Sequence, residues 1–318
     1  MFVSLLSLVG GLIFLMLGAA SLVRGSVALA LRAGLPPLLL GLTLVAFGTS
    51  APEMAIAWRA ALQGNGGVII PNVVGSNICN ILLIMGLCAV LARTGSPFGL
   101  TALRWATHMP QLVLVTLLAT GAIWYFNPLP RWVGALCVVA LALYTVWAYR
   151  MELKHPQPLP EEITQVKKLP AWAGALLTLG GITLLAMGSS LFLAGAITLA
   201  SIYGLSNGVV GLTIIALGTT LPELLTSLMA TKQRHTDVAI GNVVGSNLFN
   251  ILGIMGSSAM ISPLTVAPEV SNLALGVMLL ATLMLTVHTR VGGYVLTRKE
   301  GLLFVATFIG YMFLLFKI

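Results

Sequence analysis

Slid against itself by 170 residues, this chain falls into register with itself. Asn72-Val-Val-Gly-Ser-Asn-Ile-Cys-Asn-Ile-Leu-Leu-Ile-Met-Gly86 lies on Asn242-Val-Val-Gly-Ser-Asn-Leu-Phe-Asn-Ile-Leu-Gly-Ile-Met-Gly256. Gly48-Thr-Ser-Ala-Pro-Glu53 lies on Gly218-Thr-Thr-Leu-Pro-Glu223, and Gly41-Leu-Thr43 on Gly211-Leu-Thr213. Gly10, Gly11, Gly18 and Gly34 lie on Gly180, Gly181, Gly188 and Gly204, and no gap is needed from about residue 10 to residue 86. A repeat of this length constrains the fold before any single element does: the chain must place two copies of one unit.

Composition says where the copies sit. Hydrophobic residues make up 58% and charged residues 8%, against about 25% charged in soluble domains. Mean hydropathy is +1.03. Bilayer is the solvent such a surface needs, and the ruler is a span of about 20 apolar residues. The first copy reads as Val3–Leu31, Pro37–Ala61, Val68–Leu91, Leu103–Phe126 and Trp132–Tyr149. The second reads as Trp172–Tyr203, Val209–Ala230, Val238–Ile261, Val270–Val287 and Gly301–Leu315. The expected fold class is therefore an all-α polytopic membrane protein of ten transmembrane helices. Five spans per copy is odd, so the second copy enters with the opposite orientation. That gives two inverted five-helix repeats about an axis in the membrane plane. The expected organisation is a first repeat over 1–149, a linker over 150–171 and a second repeat over 172–318. Pro156, Pro158, Pro160 and Pro170 stiffen that linker.

The net charge of +8 has the pattern of topology signals. Basic residues stand at the ends of apolar segments, and no basic stripe with interleaved aromatics suggests nucleic acid. With the N-terminus outside, the inner face receives Arg24, Arg32, Arg93, Arg104, Arg150, Lys154, Lys167, Lys168, Lys232, Arg234, Arg290, Arg298 and Lys299. The outer face receives Arg59, Arg131 and Lys317, a split of 13 to 3. The expectation is a multi-pass protein of the inner or plasma membrane, with a cytoplasmic linker and both termini outside. Ala19-Ala20-Ser21 imitates a signal-peptide cleavage site, but the first basic residue, Arg24, follows the apolar run. The repeat also pairs this segment with residue 180 onward, so it is expected to stay as a helix.

Cys79, Cys88 and Cys137 and the histidines His108, His155, His235 and His288 form no CxxC or HExxH spacing. The cysteines read as small buried hydrophobes. Of eight acidic residues, Glu152, Glu161, Glu162, Asp237, Glu269 and Glu300 fall in loops or at span ends. Only Glu53 and Glu223 lie within apolar spans, and they are repeat mates. A charge at the bilayer centre costs about 2.5–3.5 kcal/mol on insertion scales and marks a functional site by default. The competing reading is a polar plug satisfied by neighbouring helices; a symmetric pair in matching polar surroundings disfavours it.

Those surroundings suit a hard cation. Thr49, Ser50 and Glu53 share one helix face, as do Thr219, Thr220 and Glu223. Pro52 and Pro222 remove backbone donors and disfavour helix just before them. Carbonyls freed there are expected to serve as ligands, as in discontinuous transporter helices. Ser76 and Asn80, with their mates Ser246 and Asn250, add oxygens, or else hold helices together by hydrogen bonds. Ca²⁺ takes about six to eight oxygens, and two carboxylates balance its charge. No thiolate or imidazole belongs to either motif's polar set, which argues against Zn²⁺ and Cu⁺. Hydroxyls around the same carboxylates offer places to Na⁺. An intramembrane hydrolase would need a nucleophile set, and none is evident. A cation channel shares this chemistry and is told apart by flux that needs no counter-ion.

The paired motifs, Gly48–Glu53 with Gly75–Asn80 and Gly218–Glu223 with Gly245–Asn250, resemble the alpha-repeats of the cation/Ca²⁺ antiporter superfamily. The likeness is to its prokaryotic Na⁺/Ca²⁺ exchanger branch, and it extends over nearly the whole chain in length, span count and repeats. The resemblance implies a secondary active antiporter with Ca²⁺ and Na⁺ as transported ions, no cofactor and no enzymatic step. It implies that Glu53 and Glu223 are the central Ca²⁺ ligands. It further implies that Thr49, Ser50, Ser76, Thr219, Thr220 and Ser246 line the ion sites, with Asn80 and Asn250 at the remaining polar positions. Some relatives, K⁺-dependent exchangers among them, carry aspartate where Asn250 stands, and proton-coupled relatives use a Gly-Asn-x-x-Glu pattern that is missing here. H⁺/Ca²⁺ exchange and K⁺-dependent exchange remain the alternatives within the superfamily.

Overall fold

The computed structural model describes residues 2–92, 98–154, 169–202, 216–265 and 272–315. The expected pairings of Gly204 and of Gly211-Leu-Thr213, the start of the span drawn from Val209, and most of the expected linker lie outside the described residues. The described chain forms helices α1 (Phe2–Ala33), α2 (Pro37–Leu62), α3 (Gly66–Leu91), α4 (Ala102–Tyr125) and α5 (Arg131–Lys154). The second copy forms α6 (Ala171–Ile202), α7 (Ala216–Thr219, resuming as Leu221–Lys232), α8 (Thr236–Ile261), α9 (Asn272–Val291) and α10 (Arg298–Leu315). Eight of these helices are long and apolar enough to cross a membrane. The other two are α7, of which only part is described, and α10, which opens on Arg298, Lys299 and Glu300.

The repeat reappears as matched local geometry. The chain widens into a π-helix at Cys79–Met85 in α3 and again at Phe249–Met255 in α8. Each π segment hands over to a short α-helix, Gly86–Leu91 and Gly256–Ile261. Both features coincide at the offset of 170. Such widenings are uncommon and concentrate at functional sites.

In lipid, helices gain no hydrophobic energy by meeting, so close backbone approach carries the association. Helices α1 and α6 show this. A Cβ on Gly18 would fall 2.9 Å from the Gly181 carbonyl oxygen, and one on Gly188 would fall 2.8 Å from that of Gly11. These two contacts are one another's repeat equivalents. Positions rising along α1 meet positions falling along α6, from Ser4 against Gly195 to Gly25 against Gly174, so the pair is antiparallel. Leu15 and Leu185 are wholly buried along this seam.

The two copies interlock. Helix α5 packs on α8, and α10 packs on α3, so each copy's fifth helix covers the third helix of the other. Gly134 faces the Gly256 carbonyl as Gly301 faces that of Gly86. Short antiparallel bridges repeat the exchange: Leu129 with Leu264, and Gly99 with Val295. Helix α8 is the most enclosed span, with 94% of its best window buried, followed by α3 at 78%. Helices α1, α5 and α6 turn leucines, valines and aromatics outward, as lipid-facing helices do.

Helix α5 runs to Lys154, past the expected end at Tyr149. The extra turn is held because Glu152 is buried against α4, where Arg104 Nη2 lies 3.2 Å and His108 Nε2 3.4 Å from its carboxylate. Arg104 also pairs with Asp237 at the start of α8. Both acids stand at span ends, as expected, but Glu152 is interior and Asp237 half-buried. Charges taken out of water need such partners.

Candidate ion-binding site

The site lies where α2 and α7 meet α3 and α8. All ten residues singled out from sequence are buried: Thr49, Ser50, Glu53, Ser76, Asn80, Thr219, Thr220, Glu223, Ser246 and Asn250. Glu53 and Glu223 are each 1% exposed. Ser50, one turn before Glu53 on the same helix, hydrogen-bonds Glu223, so the helices carrying the two carboxylates meet at this point.

Hydrogen bonds knit the two copies together here. Ser50 of the first copy donates to Glu223 Oε1 of the second at 2.7 Å. Ser50 has one proton, so across the 3.3 Å gap between Ser50 Oγ and Ser246 Oγ the donor is Ser246. Asn242 uses its amide nitrogen on Ser227 Oγ (2.9 Å) and on the Glu223 carbonyl oxygen (3.4 Å). Its Oδ1 then accepts from Thr49 at 3.2 Å. Asn250 Nδ2 donates to Asn77 Oδ1 at 3.0 Å.

What these bonds leave over defines the chemistry. Both oxygens of Glu53, Glu223 Oε2, Ser76 Oγ, Asn80 Oδ1 and Asn250 Oδ1 are buried and accept no hydrogen bond. Buried polar atoms are normally partnered. Among the predicted site residues that is a set of six bare oxygens, three of them on carboxylates. Hard oxygen donors with carboxylate charge match Ca²⁺ and Na⁺ and offer nothing soft.

The expectation of freed carbonyls needs correction. Helix α7 is interrupted at Thr220 (φ −87°, ψ −2°), just ahead of Pro222. In the first copy the helix from Ala46 to Leu62 runs through Pro52 without a break. One proline deletes one intrahelical bond; with no water to compete inside a bilayer, the flanking bonds can be kept. The copies thus respond differently to the same residue.

Sequence reading passed over Asn77, Asn242, Asn247 and Ser227, all buried at 1% exposure or less. The signal was available for three of them. Asn77 and Asn247 are repeat mates inside the doubled Gly-Ser-Asn, and Asn242 opens the second motif. The helix-face argument chose the serine and the later asparagine and stopped. Ser227 stands opposite Ala57, so the repeat gave no hint of it.

The chain matches the family described as sodium/calcium exchanger protein over residues 3–150 and 173–317, one segment per copy. It belongs to the sodium/calcium exchanger family. CaxA of Alkalimonas amylolytica is 36% identical, over 100% of both chains. The sodium/calcium exchanger MaX1 of Methanosarcina acetivorans is 29% identical over 99% of each. A solved structure of the sodium-calcium exchanger NCX_Mj, soaked with 100 mM Na⁺ and 10 mM Sr²⁺, superposes with a TM-score of 0.83 at 26% identity, covering 98% of each chain. The chain is thus a prokaryotic exchanger-family protein with two repeats, a transporter of the cation/Ca²⁺ kind and a multi-pass membrane protein. The matched segments leave out residues 151–172, close to where the linker was expected.

Proposed function

We propose that this protein is a secondary active antiporter that exchanges Ca²⁺ for Na⁺ by alternating access, with Glu53 and Glu223 as the central ligands. The observation that carries the reading is the bare carboxylate of Glu53, 1% exposed and without a hydrogen bond on either oxygen. An ionised carboxylate in that position requires a cation. Thr49, Ser50, Ser76, Asn80, Thr219, Thr220, Ser246 and Asn250 complete the Ca²⁺ and Na⁺ sites. Two glutamates carry about two negative charges. Ca²⁺ balances them, and so do two Na⁺, so the cations compete for shared oxygens.

The architecture in this reading is ten spans in two inverted repeats, with both termini outside. Helices α1 and α6, joined by their glycine seam, slide as a unit across the remaining helices and open the site to alternate sides. The test of exchange is Ca²⁺ uptake into proteoliposomes under an imposed gradient of Na⁺, K⁺ or H⁺ in turn. Uptake driven by Na⁺ alone is expected; uptake without any counter-ion would make the protein a channel. The test of sliding is a tether. Ala28 of α1 and Gln233 after α7 line a common crevice. Cysteines there, joined by a short bifunctional thiol reagent in a chain freed of its own cysteines, should halt exchange and spare ion binding.

A further inference from the structure

Two equivalent prolines sit beside two equivalent glutamates, yet only one of their helices is interrupted. Pro222 has no N–H, so the carbonyl four residues back, that of Gly218, loses its helical donor. Ser189 of α6 takes that donor's place: its Oγ lies 3.3 Å from the Gly218 oxygen. Ser189 is 1% exposed, and α7 breaks two residues on, at Thr220.

Pro52 deprives Gly48 in the same way. The residue of α1 equivalent to Ser189 is Ala19, which is wholly buried and has no hydroxyl to offer. Gly48 lies against α6 in this structure: a Cβ there would meet Ile182 at 2.8 Å, with Leu22 of α1 beyond it at 3.9 Å, so the mirror-image contact with α1 is left to the opposite-facing state of the sliding reading. Through Pro52 the helix continues unbroken. Hydroxyl and interruption go together in one copy; both are absent in the other.

Gly218 immediately precedes Thr219 and Thr220 and stands five residues before Glu223. A bond from α6 to this carbonyl therefore ties the α1–α6 pair to the backbone that aims the second copy's ligands. We propose that Ser189 is a positioning residue: its hydroxyl latches the interrupted form of α7 and biases which face of the membrane the site opens to. This rests on the sliding reading above. Breaking the latch moves the equilibrium away from the observed facing state, and building its mirror image at Ala19, which steadies the opposite state, moves it the same way.

The test is the ratio of half-saturating Ca²⁺ at the two faces, measured by Na⁺-driven flux in vesicles of defined orientation. A ligand's apparent affinity falls with the fraction of protein in the competent state. One net hydrogen bond of ordinary strength corresponds to about a fivefold change in such an equilibrium. Ser189→Ala should shift the ratio by roughly that factor, Ala19→Ser, which gives the opposite-facing state the same latch, should shift it in the same direction, and Ser189→Thr, which keeps the hydroxyl, should leave it near its starting value. An unchanged ratio in Ser189→Ala, or equal losses of rate at both faces, would reduce Ser189 to a packing residue and overturn the proposal. If Ser189→Ala does not fold, Ala19→Ser still decides, since a shift is required of it alone. Failure of the sliding reading shows separately, as unimpaired exchange in the protein tethered between Ala28 and Gln233.

Discussion

Glu53→Gln removes one unit of charge from the site and keeps the side chain's size. Glu53 contributes two oxygens that accept no hydrogen bond from a position that is 1% exposed, so solvent cannot make good the loss. Removing one partner of a buried, paired charge costs about 3–5 kcal/mol, which is about two to three and a half decades in affinity at roughly 1.4 kcal/mol per decade. Glu223→Gln should be at least as severe, for a reason visible in the hydrogen bonds. Ser50 donates to Glu223 Oε1 and will hold an amide oxygen in the same place. The amide NH₂ is then forced to the position of Oε2, the bare oxygen, and points its protons at the cation. At position 53 no such bond fixes the amide, which can turn its oxygen inward. The assay is Ca²⁺ binding by calorimetry on the purified protein, with size-exclusion profiles to show folding and ⁴⁵Ca²⁺ uptake for function. Affinity within tenfold of the starting protein in either variant would refute the two-carboxylate site; a markedly milder Glu223→Gln would refute the argument from Ser50.

Ser50→Ala deletes a 2.7 Å bond to a carboxylate, and such bonds contribute about 1.5–3 kcal/mol; Ca²⁺ half-saturation should rise about tenfold or more, and a change under twofold would deny the bond any role. Gly18→Val puts a branched side chain where a Cβ already meets a backbone oxygen at 2.9 Å; the α1–α6 seam should open, visible as a lower melting temperature in detergent and loss of exchange, while Gly10→Val, with open space at its Cβ, should do neither. Protonating either glutamate weakens a ligand, so apparent Ca²⁺ affinity should fall as pH drops and recover as it rises; a flat pH profile of Ca²⁺ binding would count against carboxylate ligation. A cysteine at Gln63 should label from outside and one at Lys232 from the cytoplasm, and labelling of both from one side would contradict the proposed topology.

Much of the fold was legible because it is written twice. The offset of 170 delivered the spans, the motif pairs and the two glutamates, and most helices end within a few residues of where apolar runs end. Interlocking was not legible. Nothing in the order of apolar runs says that α5 covers α8 rather than a helix of its own copy, because that choice depends on backbone approach at Gly134 and Gly256. The π segments were hidden too, since Cys79–Met85 and Phe249–Met255 have the composition of ordinary apolar helix. At the site, carboxylates announced themselves by their cost in lipid, whereas Asn77 and Asn242 were missed because amides in a repeated motif serve equally well for packing.

The site is made of differences laid over a symmetric frame, and exchange needs both. Symmetry puts an equivalent carboxylate in each copy, and in the sliding reading it gives two equivalent ways for α1 and α6 to lie against the rest. A perfectly symmetric structure would favour neither, and its site would be shared evenly between two faces. The observed one departs from symmetry at named places. Ser50 reaches Glu223, while Glu53 is left bare. Asn77 donates across to the Asn247 carbonyl, whereas Asn247 Nδ2 turns back to Val243 of its own helix. The helix breaks at Thr220 and holds at Pro52. Some of these differences are fixed by sequence, as Ser189 against Ala19. Others, such as Asn77 against Asn247, are made by identical residues, and in the proposed cycle they belong to the conformation. In the proposed alternating-access cycle the second kind inverts when the site faces the other way, so that Glu223 takes the bare place and Glu53 the hydrogen-bonded one. The first kind cannot invert, so in that cycle the two facing states would differ in energy. Under the proposed mechanism that inequality would let the two faces of one site bind Ca²⁺ with different affinity.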